Sequence, residues 1–85
     1  MVRLYGFEKC PYCKELRGLL ESNNVKYDYV DVTLSDNEKE SNRIFEIAGE
    51  ETVPIVLVDK TVLVPDKSFK TIQEAYELTK KFLND

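Results

Sequence analysis

No histidine occurs among the 85 residues, and only two cysteines do. A zinc centre takes about four ligands, mostly Cys or His, so one copy of this chain cannot supply one and only a dimer would complete the set. No stretch approaches the roughly 18 apolar residues that a membrane-spanning helix needs. The opening MVRLYGF is not a charged leader followed by a long apolar run. The expected setting is therefore the cytoplasm, with no membrane partner. Positive charge is not in excess either: 12 Lys and Arg against 16 Asp and Glu leave a net charge of −4. That argues against a nucleic-acid partner, because neutralising phosphate takes clustered Lys and Arg. Repeats and linkers are absent, and the length suits one small domain over residues 1–85, with a modest core.

What is present is the composition of an ordinary globular chain, 42% apolar and 33% charged. The acid is unevenly spread. From Ser35 to Glu51, Asp36, Glu38, Glu40, Glu46, Glu50 and Glu51 stand against only Lys39 and Arg43, a local balance equal to the whole net charge. Such a run is ordinarily a solvated helix face and less often a docking surface for a partner.

Hydrophobic spacing predicts the scaffold. Val2–Phe7 reads as a strand, and Pro11 suits the first turn of a helix, where its missing N–H would be unpaired anyway. Leu16, Leu19 and Leu20 then fall at helical spacing until Asn23–Asn24 stops them, and Val25–Val32 alternates as a half-exposed strand. Ser35 with Glu38 makes a capping-box pattern ahead of Ser41, Ile44, Phe45 and Ala48, with Gly49 as the stop. The run Val53–Val58 is apolar throughout, as in a strand buried on both faces. Asp59–Lys60 turns it into Thr61–Val64. A last helix carries Phe69, Ile72, Tyr76, Thr79 and Leu83, with Ser68 or Thr71 as its cap and Glu74 three residues after Thr71. The predicted order is β-α-β-α-β-β-α.

The two cysteines are both spent in EKCPYCKE, residues 8–15. A C-x-x-C beside a β-α-β pattern in a chain read as cytosolic signals a thioredoxin-like redox site. A structural disulfide closing so small a loop would add little stability and would not last in a reducing compartment. The CPYC at 10–13, the TVP at 52–54, the element order and the length together resemble a glutaredoxin of the dithiol type, along essentially the whole chain. The resemblance implies an α/β, thioredoxin-like (glutaredoxin) fold with a four-stranded mixed sheet flanked by helices. It also implies a monomeric thiol-disulfide oxidoreductase serving electron transport and cell redox homeostasis.

Cys10 falls at the N-terminus of the first helix, where unpaired N–H groups favour a thiolate, so it is expected to be the nucleophile. Cys13, one turn on and further inside, is expected to resolve the mixed disulfide. Pro11, Tyr12 and Lys9 are expected to support the site. The resemblance makes Pro54 a cis proline against the cysteines, and assigns Tyr12, Thr52, Val53 and Pro54 to substrate or glutathione binding, with the Val53 backbone pairing to a bound peptide. No tightly bound cofactor is expected; glutathione is the implied reductant and disulfide-containing proteins are the implied substrates.

The sequence also departs from the family pattern. Where glutathione users carry Gly-Gly and then an acidic pair, this chain reads Val64–Pro65 and Lys67–Ser68. Where they carry residues for the tripeptide's carboxylates, it has Phe7 and Glu50, with Lys9 standing in for the first and Ser68 placed to hold a carboxylate. Glu50 is thus expected to face the site and repel glutathione. These departures keep two other readings open. One is an electron donor reduced by a thioredoxin-reductase-type flavoenzyme and serving ribonucleotide reductase; the other is a dimer holding an iron–sulfur cluster.

Overall fold

The computed structural model describes residues 1–84. Strand β1 (Val2–Gly6) leads into helix α1 (Pro11–Ser22), followed by β2 (Asp28–Asp31) and helix α2 (Glu38–Ala48). Strands β3 (Ile55–Val58) and β4 (Thr61–Leu63) precede helix α3 (Ile72–Leu83). The sheet order is β2-β1-β3-β4: β1 runs parallel to β2 and antiparallel to β3, which is antiparallel to β4. The expected four-stranded mixed sheet is therefore present, with β2 and β4 at its edges.

Alternation along the strands sends side chains to two cores. Val2, Leu4, Val56 and Val58 point to one face, where Leu16 and Leu20 of α1 and Ile72, Ala75 and Tyr76 of α3 cover them. Tyr5 and Ile55 point to the other, under Ile44 and Ala48 of α2. The apolar run of β3 follows directly, since both of its faces are buried. α2 is also pinned by polar contacts: the Tyr5 hydroxyl donates to Glu40 Oε2 at 2.8 Å and Arg3 Nη1 to Glu40 Oε1 at 3.2 Å.

Several boundaries differ from those the sequence suggests, each for a local reason. The second strand is only Asp28–Asp31, because Asn24 turns left-handed (φ 59°) and the Val25 N–H bonds back to the Leu20 carbonyl. The Ser35–Glu38 capping box does not form: Ser35–Asn37 is a 3₁₀ turn, and Asn37 precedes α2 without a side-chain cap. Gly49 ends α2 at φ 83°, as read from sequence. Phe69 lies before the last helix rather than on it. Thr71 is the cap, in a complete capping box with Glu74, whereas the Ser68 hydroxyl accepts the Val64 N–H instead.

Candidate functional site

The site stands at the end of the sheet where β1 gives way to α1. Cys10 is the N-cap of α1, with extended backbone (φ −83°, ψ 112°) and Pro11 at the first helical position. Its sulfur accepts the Cys13 N–H at 3.2 Å, the bond a capping side chain makes to an otherwise unpaired helix donor. The sulfur thus sits at the helix end where backbone N–H groups point outward. Both thiols are free; Cys10 is 6% exposed and Cys13 wholly buried. The two cysteines thus differ in access as the sequence predicts.

Burial, first of all, pushes the Cys13 thiol up to about 12, helped by its hydrogen bond with Cys10 and by that sulfur's charge. Tyr29 lies on the same side. A Cβ on Gly6 would sit 2.7 Å from Cys13 Sγ and 3.6 Å from Tyr29 Cε1, so Gly6 is the floor on which the second sulfur rests. Burial, and then the nearby Cys13 charge, raise the Tyr29 phenol to about 12. Its hydroxyl is buried without a hydrogen-bond partner among the described residues, and the Arg17 guanidinium stacks on its ring at 4.1 Å. Neither Gly6 nor Tyr29 carries a motif signal in the sequence. Gly6 is marked only by being a glycine at a strand end, where another part of the chain comes close.

The raised values have a consequence at alkaline pH. Cys13 keeps its proton in the folded protein far above the 9.0 of an ordinary thiol, so the unfolded chain releases that proton first. The stability tied to it is complete below pH 9.0 and is lost as pH rises towards about 12. Tyr5, Tyr27 and Tyr29, all raised chiefly by burial, add losses that begin above 10.0. In urea titrations of the reduced protein, the midpoint is expected to fall steadily from about pH 9 upward, and Cys13→Ser to remove the earliest part of the fall. An unchanged midpoint up to pH ~11 would contradict this assignment.

The Val53–Pro54 bond is cis, as the resemblance implies, and Pro54 is buried. Thr52, Val53 and Pro54, with the largely exposed Tyr12 (62%), form one wall of a groove of ≈ 350 Å³. Pro65, Asp66, Phe69, Lys70, Thr71 and Ile72 form the other. Four residues singled out from sequence are thus brought together, while Asp66 and Lys70 were missed. Among the described residues, the Val53 N–H and C=O have no intramolecular partner, leaving them open to a bound chain. Lys9 is exposed beside Cys10 and pairs with no acid among the described residues.

Two expectations, on Glu50 and Ser68, are corrected. Glu50 does not line this groove; it lies against Asn42, Phe45, Glu46, Gly49 and Glu51, on the α2 side of the segment leading to Thr52. Lys67 turns away as well, its ammonium bonding the Ala48 carbonyl at 2.6 Å and closing the C-terminus of α2. Ser68 is not placed to take a carboxylate, since its hydroxyl serves its own loop.

Comparison with known proteins agrees with this geometry. The family profile described as Glutaredoxin matches residues 2–63. A glutaredoxin-like 8.6 kDa protein from the rubredoxin operon of Clostridium pasteurianum is 31% identical over 75% of this chain and 83% of its own length. Glutaredoxin 1 of Rickettsia felis is 32% identical over 66% of this chain, a match spanning 55% of that relative. Among solved structures, the glutaredoxin of Archaeoglobus fulgidus superposes with a TM-score of 0.73 over 99% of this chain and 86% of its own. At 20% identity that likeness bears on the fold alone.

Proposed function

The chain belongs to the glutaredoxin family, and from that premise we propose that it reduces protein disulfides or glutathione mixed disulfides by a two-thiol cycle. Cys10 attacks and Cys13 resolves. The observation that carries this reading is the Cys10 sulfur at the mouth of α1, held by the Cys13 N–H and backed by a second, wholly buried thiol.

The Cys10 thiolate attacks one sulfur of the substrate disulfide, forming a mixed disulfide and releasing the other sulfur as a thiolate that takes up a proton. Cys13 then gives up its own proton and attacks Cys10 Sγ. The Cys10–Cys13 disulfide forms, the bond to substrate breaks, and the second substrate sulfur leaves with the proton, so the protein is oxidised by two electrons and the substrate reduced by two. The electrostatics favour this order. The charge and hydrogen bonding of Cys10 help to hold the Cys13 proton before the first attack. Once Cys10 is tied up in a mixed disulfide its charge is gone, and that part of the hold on the Cys13 proton is relaxed.

For the return of electrons, glutathione is the reductant this groove suits best. Open Val53 backbone groups and Lys70, the one cation among the described residues that lines the groove, offer pairing for a peptide bearing carboxylates. The flavoenzyme reading keeps one specific support, namely that Lys67, Ser68 and Glu50 all point elsewhere. The test offers the oxidised protein glutathione with glutathione reductase and, separately, a thioredoxin reductase, following NADPH consumption. Turnover with glutathione is expected to exceed that with the flavoenzyme alone by about tenfold or more. The reverse ranking would assign the electrons to the flavoenzyme.

A further inference from the structure

A second groove lies on the other side of the segment that carries Thr52–Pro54. It runs along α2, where a hollow of ≈ 360 Å³ is continuous with a neighbouring one through the shared residues Asn42, Phe45 and Glu51. Glu38, Glu46, Glu50 and Glu51 border it and no Lys or Arg among the described residues lines it; the nearest ammonium, that of Lys67 beside Gly49, is taken by the Ala48 carbonyl. The four are exposed, and none is paired with a cation among the described residues. Glu40, by contrast, is occupied by Arg3 and Tyr5. This is where the acid of the chain collects.

Two further features separate the groove from a merely solvated helix face. Ser41 lines it, is 2% exposed, and carries a hydroxyl with no hydrogen-bond partner among the described residues. A buried hydroxyl left alone costs free energy, so it is a place where a bound group with a donor or acceptor would be gained. Leu34, 54% exposed, and the half-buried Phe45 add apolar surface beside the carboxylates. Glu51, which borders it, is next in sequence to Thr52, which lines the groove beside Tyr12.

We infer that the α2 groove docks a basic segment of the disulfide-bearing protein substrate, an inference that rests on the disulfide reduction proposed above. Lysine or arginine side chains of that segment meet Glu38, Glu46, Glu50 and Glu51, an apolar residue covers Leu34 and Phe45, and a backbone or ammonium group reaches Ser41. The neighbouring disulfide is thereby presented to Cys10. Opposite charge at a groove rim raises association rate and local concentration more than it changes the chemical step.

The test uses the pre-reduced full chain in single turnover, so that the reducing partner plays no part. Three fluorescence-quenched peptide disulfides of one sequence, bearing lysines, glutamines or glutamates on one flank, are compared with hydroxyethyl disulfide, which is too small to reach the groove. The lysine peptide is expected to react about tenfold faster than the glutamine peptide at low ionic strength, and the glutamate peptide slower still, with the differences shrinking as salt rises. Glu38→Gln/Glu46→Gln/Glu50→Gln should erase the preference, and Ser41→Ala should slow the lysine peptide two- to threefold or so, with hydroxyethyl disulfide unaffected by either. Equal rates for the three peptides, or a preference that survives in the triple variant, would overturn the inference while leaving the reductase intact. Failure of hydroxyethyl disulfide and all peptides alike would overturn the reductase and the inference together.

Discussion

Replacing Cys10 with serine is expected to bring disulfide reduction down to the rate of protein-free buffer, a loss of about 10³-fold or more. The serine hydroxyl sits where the thiolate does and is held by the same Cys13 N–H, but it is a far weaker nucleophile and has no redox chemistry. Cys13→Ser should behave differently. The first attack is intact, so the variant should accumulate a mixed disulfide with its substrate, visible by mass spectrometry under non-reducing conditions, while reduction of protein disulfides stalls. Alkylation at pH ~6 followed by peptide mapping separates the two thiols in the wild type. Cys10 should be labelled first, since it alone of the pair has any exposure. Labelling of Cys13 ahead of Cys10 would reverse the roles.

The second large effect is expected at a residue that touches no substrate. In Gly6→Ala the added methyl would stand 2.7 Å from Cys13 Sγ and 3.0 Å from its Cβ, closer than nonbonded atoms approach. Something must shift, and the first turn of α1 is the movable part, because β1 is held on both sides by β2 and β3. Overpacking of this kind costs about 1–3 kcal/mol, read as a lowered urea midpoint. A resolving sulfur pushed by a fraction of an ångström also loses alignment with Cys10, so complete two-thiol turnover should fall by about 10- to 100-fold. The first attack, timed by disappearance of the Cys10 thiol, should slow much less. Full activity in a folded Gly6→Ala protein would show that the contact is not what positions Cys13.

The chemistry was the most legible part of the sequence. Cys10, Cys13, Tyr12, Thr52, Val53 and Pro54 lie in two short motifs whose spacing is fixed by one helical turn and one loop, and Tyr12, Thr52, Val53 and Pro54 line one groove. Elements with strong local signals were legible too: Pro11 at the start of α1, Gly49 beyond α2, and the Thr71–Glu74 box of α3. What the sequence did not disclose depended on contacts between distant segments. Gly6 meets Cys13 only because β1 passes beneath α1. Ser35 and Glu38 have the letters of a capping box, yet the chain enters α2 through a 3₁₀ turn with Asn37 donating to the Asp31 carbonyl. Glu50 and Lys67 fall at positions the family resemblance assigns to the glutathione pocket. Their directions are set instead by the left-handed turn at Gly49 and by the open carbonyls at the end of α2, neither of which a position in a motif can express.

The shape of the sheet bears on how such a molecule stays dispersed. A strand with one free side is a template for pairing with any extended chain, and the hazard grows with its length and apolar character. Here β3, the strand apolar throughout, is interior together with β1, and the two rims are β2, four residues bounded by Asp28 and Asp31, and β4, three residues. Neither rim offers the six or seven uncharged residues in a row from which cross-β stacking starts. Val53, whose backbone N–H and C=O have no partner among the described residues, lies away from both rims, in the groove beside Tyr12.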